Sequence, residues 1–225
     1  MLALWAFFVV RGHKRGFLRS ALTTFSFVIA IVLASALTAP VSNMLENSSF
    51  GSRISENVSE SIDEKLSEYT EELSLGEDEQ DSFLESLALP SIVRDSLKET
   101  NTAEDYAQMG VTSFKEYTAQ KVTDVIINAA AYIIVMVIAA IVLKIILRLA
   151  KFVNKIPVIG GINRFLGALL GVFEGLLVLW AIGLAIIVFS NTAFGIKAVS
   201  IIQSNAFLNA VFDNNLLVAM FSALF

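Results

Sequence analysis

The last long apolar segment of the chain reads IPVIGGINRFLGALLGVFEGLLVLW over residues 156–180, and it decides the fold. Pro157 cannot continue a helix because it lacks a backbone N–H, and the pair Gly160 and Gly161 also favours a break. Any helix that arrives from the preceding apolar segment is therefore expected to end here. A new helix is expected to begin near Asn163 and to run through the apolar residues that follow.

Three glycines fall on one face of this expected helix. Gly167, Gly171 and Gly175 recur at intervals of four and form a doubled GxxxG pattern. Two helix backbones can approach closely where side chains are absent, and helix association in lipid depends on such packing. Small residues have the same spacing near the start of the chain: Gly12, Gly16, Ser20 and Thr24. We expect these two faces to meet within one molecule. The alternative is a homo-oligomer formed through the face of Gly167, Gly171 and Gly175.

A single acidic residue, Glu174, lies in this apolar run, about 13 Å into the expected span. A carboxylate at this depth normally faces the interior of a helix bundle and has a cationic partner or a proton. The sequence offers four candidate partners: Lys144, Arg148, Arg11 and Arg15. The functional interpretation is a proton or ion site. The alternative is a structural ion pair, or a side chain that reaches a thin cytoplasmic edge of the bilayer.

The composition of the whole chain indicates a membrane protein. Its 225 residues are 56% hydrophobic and only 16% charged, with a mean hydropathy of +0.70, whereas soluble domains are about half apolar and about a quarter charged. Three segments have the length and apolar character of transmembrane helices, at 21–39, 125–143 and 165–189. Helices satisfy their own backbone hydrogen bonds in lipid. The sequence therefore predicts an all-α integral membrane helical bundle.

The first ten residues, MLALWAFFVV, are apolar but would cover only about 15 Å as a helix. Three arrangements are open. The helix crosses the membrane by extending through residues 9–16, with its cations reaching the headgroups; or it inserts halfway; or the true start lies upstream and part of the span is missing. We favour a first membrane helix, which brings the expected number of spans to about four.

The charged residues are strongly segregated along the chain. Residues 11–19 contain four cations, residues 144–164 contain five, and neither window contains an acid. Residues 43–124 carry 19 acids and 6 bases, a net charge of −13. Short loops rich in Lys and Arg stay cytoplasmic. Both basic windows are therefore expected inside the cell, the first of them in contact with anionic headgroups of the lipid bilayer. Residues 43–124 and both termini are expected outside.

This pattern divides the chain into four parts. They are a pair of transmembrane helices joined by a basic cytoplasmic hairpin (1–42), an acidic helical extracytoplasmic insertion (43–124), a second pair with a basic connection (125–190), and an interfacial amphipathic tail (191–225). In the tail, the phenylalanines Phe207, Phe212, Phe221 and Phe225 are expected to face the lipid.

The insertion has the pattern of a small set of helices. Apolar residues recur every three or four positions at Ile54, Val58, Ile62, Leu66, Tyr69 and Leu73, which predicts one helix with an apolar stripe. Its end is expected at Leu75 and Gly76. Further helices are expected at 82–89, before Pro90, at 90–98, and at 102–124, where the helix would enter the next span. The insertion is interpreted either as a surface for an envelope or secretion partner or as a solvated helical insertion.

Residues that would support catalysis are missing from the sequence. His13 is the only histidine and there is no cysteine, so neither a metal site built on such side chains nor thiolate chemistry is predicted. The GxSxG and HExxH motifs do not occur, and the glycines form no phosphate-binding loop. We expect no enzymatic activity, no cofactor, no metal and no nucleic-acid partner.

Three stretches resemble the colicin V production (CvpA) family of bacterial inner-membrane proteins. They are RGHKRGFLRSAL at 11–22, IPVIGGINRFLGALLGVFEGLLVL at 156–179, and SNAFLNAVFDNNLL at 204–217. The second is close to the Pro-x-x-Gly-Gly-x-Asn-Arg-x-x-Gly run of the family and is the most specific. The resemblance covers both ends of the chain and leaves the acidic insertion, which is longer than the family pattern, uncovered. It implies a protein of the cytoplasmic membrane with a link to toxin production or export and to envelope homeostasis.

The candidate functional or packing residues lie in the hairpin and in the last span. They are Arg11, Gly12, Arg15, Gly16, Pro157, Gly160, Gly161, Asn163, Arg164, Gly167, Gly171, Glu174 and Gly175. Two functions are compatible with them. The first is a non-enzymatic membrane factor in toxin production and envelope homeostasis. The second is a small transporter or channel that uses Glu174 and the broken helix at 157–161.

Overall fold

The computed structural model describes residues 2–67, 76–149 and 160–222, and in these ranges the regular secondary structure is α-helix. The helices in chain order are α1 Leu2–Arg15, α2 Phe17–Glu46, α3 Ser49–Leu66, α4 Glu77–Ser86, α5 Ser91–Glu99, α6 Ala103–Met109, α7 Phe114–Leu149, α8 Gly160–Val188, α9 Ala193–Gln203, α10 Ala206–Asp213 and α11 Leu216–Ser222. The all-α prediction is confirmed.

Three of these helices, α2, α7 and α8, are long and apolar enough to cross a membrane. They contain the predicted segments 21–39 and 125–143 and all but the last residue of 165–189, so the membrane-bundle fold class is confirmed. Helix α1 has 14 residues and is therefore about 21 Å long, shorter than the ~30 Å of a hydrocarbon core. A fourth crossing by α1 stays a prediction.

Residues Met1–Thr38 and Tyr132–Gly183 form one compact unit, the membrane unit. Large apolar side chains remain exposed on its helices, for example Phe25 (66% exposed), Ile138 (56%) and Phe165 (62%). An apolar surface of this extent needs a neighbour other than water, which agrees with lipid around these helices. Inside the unit, the hydroxyl of Tyr132 donates a hydrogen bond to the carbonyl of Ile31, at 3.4 Å.

Residues Ala39–Ala131 and Leu184–Phe225 form the second unit, the cap unit. The apolar stripe predicted for the first helix of the insertion is partly confirmed, because Val58, Ile62 and Leu66 are buried on α3. Tyr69 and Leu73 lie outside the described residues. Tyr117 is one of the largest fully buried side chains among the described residues, and its hydroxyl donates to the carbonyl of Leu97 at 2.7 Å.

Two expected helix boundaries in the insertion are wrong. Gly76 is the N-cap of α4, which begins at Glu77 rather than at residue 82, and the helix end expected at Leu75 lies outside the described residues. The acids that follow Gly76 are favourable there because carboxylates stabilise the positive N-terminal end of a helix. Similarly, Pro90 is the N-cap of α5, and α4 has already ended at Ser86.

The helix expected over 102–124 is interrupted. Helix α6 ends at Met109 and is capped by Gly110, whose φ of +70° is a left-handed conformation that glycine adopts without strain. Helix α7 then begins at Phe114, with the hydroxyl of Ser113 accepting a hydrogen bond from the backbone N–H of Glu116, at 3.2 Å. The last span is displaced as well, because α8 begins at Gly160 rather than near Asn163.

The tail is more buried than the sequence indicated. Phe212 is only 3% exposed, so the expectation that it faces lipid is wrong, whereas Phe207 is 39% exposed. Phe225 and the side chain of Phe221 lie outside the description. The polar residues of the tail explain the burial: the carboxylate of Asp213 accepts a hydrogen bond from the backbone N–H of Ser91, at 3.1 Å, and thereby holds the tail against α5.

Candidate functional site

The glycines of α1 and α8 bring the two backbones into direct contact within the membrane unit. A Cβ atom added at Gly12 would lie 2.2 Å from the carbonyl oxygen of Gly167 and 3.0 Å from the Cα of Gly171. A Cβ added at Gly171 would lie 2.4 Å from the carbonyl oxygen of Phe8. Glycine is therefore required on both sides of this contact, which lies within one molecule.

The junction between α1 and α2 is built on Gly16 and Asn163. Gly16 has a φ of +77°, a left-handed conformation in which side chains of other residues are strained. The next residue, Phe17, is the first of α2, and its backbone N–H donates to the side-chain Oδ1 of Asn163 at 2.9 Å. Asn163 of α8 thus satisfies one of the backbone donors that the start of α2 would otherwise leave open.

Trp5 continues the contact deeper along α1. Its indole Nε1 donates a hydrogen bond to the carbonyl of Val172 on α8, at 3.0 Å. A Cβ added at Gly175 would lie 2.5 Å from Cδ1 of the same indole ring, so the third glycine of the pattern makes room for Trp5. The sequence did not single out Trp5. The signal was present, because residues 5, 8 and 12 share one face of a helix.

Glu174 is buried beside this contact. It is 7% exposed, and its Oε2 atom has no hydrogen-bond partner in the structure. The cations whose charges act on it are Arg15 and Arg11, two of the four partners that the sequence offered. The guanidinium of Arg11 also lies over the rings of Phe7 and Phe8, with its Cζ at 5.9 and 6.0 Å from the ring centroids.

This arrangement can hold a charge or a proton. A carboxylate with an open lone pair, near two guanidinium groups and out of water, is suited to keep a negative charge or to take up a proton. It is not a metal site in the usual sense, because among the described residues the acidic and histidine side chains form no group of three that could hold a metal ion.

The remaining predicted residues lie outside this contact or outside the description. Arg164 and Gly161 are exposed on the first turn of α8, and a Cβ at Gly161 would meet nothing within 4 Å. Gly160 is the first residue of α8. Pro157 lies outside the described residues, so the predicted break at 157–161 is described only from Gly160 onward. The functional roles of all these positions stay predictions.

The chain matches the family model described as Colicin V production protein over residues 1–63 and 105–215. The match therefore includes α1, α2, most of α3 and α6, and α7 to α10. It also includes the two ends of the acidic insertion, which the sequence motifs had left uncovered. No curated protein and no solved structure matches the chain. Together with three apolar helices, the family match indicates a multi-pass inner-membrane protein with a role in toxin production. The chain belongs to the colicin V production protein family.

Proposed function

We propose that the protein is a non-enzymatic membrane factor that supports the production and export of a colicin V-type toxin and the homeostasis of the cell envelope. The observation that carries this proposal is the family match, which includes every residue of the α1–α8 contact from Trp5 to Gly175. The family is not a known enzyme family. The contact also offers packing and one buried charge rather than a nucleophile with its base.

The proposal is tested by complementation. A toxin-producing strain that lacks its own family member would receive the wild-type chain, Gly171→Leu or Gly161→Ala, and the secreted toxin would be titrated. We expect the wild type and Gly161→Ala to restore secretion, because a Cβ at Gly161 meets nothing within 4 Å. Gly171→Leu should fail because its side chain collides with α1. Full secretion without any family member would overturn the proposal.

The topology of the protein is part of the proposal. We place both termini and the insertion at 43–124 outside the cytoplasm, because the basic windows at 11–19 and 144–164 favour the cytoplasmic side. The four-part division of the chain follows from this placement. An enzyme reporter that is active only in the cytoplasm should be inactive when fused after residue 225 and active when inserted near residue 152. The reverse result would contradict the proposed orientation.

The acidic insertion is the surface proposed for a partner. Its charge of −13 would attract a basic envelope or secretion protein over a distance of about one Debye length, near 8 Å in physiological salt. A homo-oligomer through the glycine face of α8 is less well supported, because Gly12 of the same chain already packs against Gly167 and Gly171. Crosslinking in intact cells, with and without the segment 64–104, would identify such a partner.

A second function, a small transporter or channel, is supported by Glu174. Its buried Oε2 without a partner is the kind of group that binds a proton or a cation inside a membrane. Flux across proteoliposomes under proton and monovalent-ion gradients tests this function. A leak that Glu174→Gln removes, with unchanged amounts of folded protein, would support it. No flux from correctly oriented wild-type protein would exclude the transporter function and leave the membrane factor as the remaining proposal.

A further inference from the structure

The cap unit contains a polar groove that the contact between α1 and α8 does not involve. The groove has a volume of about 440 Å³ and runs between α3 and α7 at the end of α2. This volume is within the range of ~300–1,000 Å³ that is typical of small-molecule sites. Gly51 allows the close approach of α2 and α3 at one end of the groove, because a Cβ there would lie 2.3 Å from the carbonyl oxygen of Glu46.

The charged side chains that line the groove are all acidic. They are the carboxylates of Glu46, Glu116 and Asp124. Glu46 and Lys121 both lie close enough to Asp124 for their charges to act on it. Glu116 is held in place, because its Oε2 accepts hydrogen bonds from the backbone N–H and the hydroxyl of Thr112, at 2.8 and 3.0 Å.

A buried hydroxyl without a partner belongs to the same groove. Thr123 lines it and is only 8% exposed, and its Oγ1 has no hydrogen-bond partner in the structure. A threonine inside a helix usually donates to the carbonyl four residues earlier, as Thr38 does to Ala34 at 2.7 Å. Leaving a buried polar atom unpaired is unfavourable. The Oγ1 atom is closed off from solvent, so the Thr123 side chain must rotate to reach a ligand in the groove, and the hydrogen bond formed there would add binding free energy.

The spacing of the acids indicates the class of ligand. A metal ion needs several ligands at one point, but in the described residues no three acidic or histidine side chains converge in that way. The lining combines the three carboxylates with the apolar side chains of Val111, Ala119 and Ile127. This combination fits an extended chain of methylene groups that ends in a charged nitrogen.

We propose that the groove between α3 and α7 binds a primary alkylammonium group, with Asp124 and Glu46 as the charge partners and Thr123 as a hydrogen-bond partner. Such a group occurs in free polyamines and in lysine side chains of basic peptides. This assignment does not depend on the role of the α1–α8 contact or on toxin production.

The experiment measures binding to the full chain in nanodiscs of phosphatidylcholine, a lipid without net charge, by isothermal titration calorimetry. Spermidine is the free-amine probe, a capped tri-lysine peptide is the peptide probe, and the same peptide with acetylated lysines is the uncharged control. Binding of spermidine alone would assign the site to free polyamines, and binding of the peptide alone would assign it to lysine side chains. Binding of both supports the shared ammonium chemistry, and binding of neither overturns the proposal.

Matched variants separate the groove from the general acidity of the cap unit. We expect Asp124→Asn to weaken binding about tenfold, as the loss of one charge-assisted hydrogen bond does. Glu56→Gln, an equal change of charge on α3 at an exposed residue that does not line the groove, should leave the affinity unchanged. Equal weakening by the two variants would overturn the proposal.

The hydroxyl has a matched control in the same helix. Thr118 is also buried on α7 and its Oγ1 also has no partner, but it does not line the groove. We expect Thr123→Val to weaken binding about threefold to tenfold and Thr118→Val to have no effect. If the two valine variants bind equally well, Thr123 is not part of the site and the proposal is overturned as stated.

Discussion

The substitution Gly171→Ala tests the close contact between α1 and α8. The added Cβ would lie 2.4 Å from the carbonyl oxygen of Phe8, whereas ordinary van der Waals contact begins at 3.4 Å. The two backbones must therefore separate by about 1 Å at this point, which also weakens the neighbouring dispersion contacts. Overpacking of this size costs about 1–3 kcal/mol.

The helix propensity of alanine contributes to the stability of this variant with the opposite sign. Alanine is a better helix former than glycine by up to about 1 kcal/mol, so the net loss of stability in Gly171→Ala should be about 1–2 kcal/mol. Gly161→Ala isolates this contribution, because it lies in the same helix and its Cβ would meet nothing within 4 Å. Gly161→Ala should therefore be neutral or more stable than the wild type.

The assay is reversible unfolding in mixed detergent micelles, followed by tryptophan fluorescence. The chain has two tryptophans, and a Trp180→Phe background leaves Trp5 as the reporter. Trp5 is suitable because its indole is hydrogen-bonded to the carbonyl of Val172 across the contact. If Gly171→Ala proves as stable as Gly161→Ala, the two backbones do not touch as described and the reasoning is refuted.

Three further predictions concern single interactions. Asn163→Ala should cost about 0.5–1.5 kcal/mol of unfolding free energy, because it removes the acceptor of the Phe17 N–H, and Asn163→Asp should retain most of it. Tyr117→Phe should cost about 1–2 kcal/mol of unfolding free energy, because a fully buried hydroxyl is removed together with its hydrogen bond to Leu97. An unchanged unfolding midpoint in either variant would contradict the hydrogen bond assigned to that residue. A hydrogen bond from Lys98 lowers the pKa of Glu85, so this pair stabilises the cap above the ordinary carboxylate pKa and loses that effect as the pH falls. Lys98→Met should therefore flatten the dependence of stability on pH between about pH 5 and about pH 3, and an unaltered slope would exclude the pair as its source.

The membrane helices could be predicted from the sequence because the bilayer imposes a simple requirement. A helix that crosses lipid must be long and apolar, and α2, α7 and α8 are identified by that criterion alone. The boundaries in the insertion were harder. Gly76 and Pro90 are both helix-breaking residue types, but the same types occur just before a helix as well as just after one. Only the contacts of the folded cap determine which applies.

The tail illustrates a second limit. The sequence predicted an interfacial tail in which Phe212 faces the lipid. In the structure Asp213 binds the backbone of Ser91 and Phe212 is buried. Residues about 120 positions apart are involved, and no local pattern indicates such a pairing. The groove lined by Thr123 was missed for the same reason, because its residues on α7 lie far along the chain from those on α2 and α3.

The glycine face and Glu174 were predicted as separate features, but the structure makes them dependent on each other. Glycines at 12 and 171 bring α1 against α8, and only because α1 is that close do the charges of Arg11 and Arg15 act on Glu174. A substitution that separates the helices should therefore also weaken this electrostatic interaction. A double-mutant cycle of Gly171→Ala and Glu174→Gln measures the link. We expect a coupling free energy of at least about 0.5 kcal/mol, because Glu174→Gln changes stability less once the arginines have moved away. Additive effects would show that Glu174 is stabilised independently of the helix contact, and the arginines could then not be its partners.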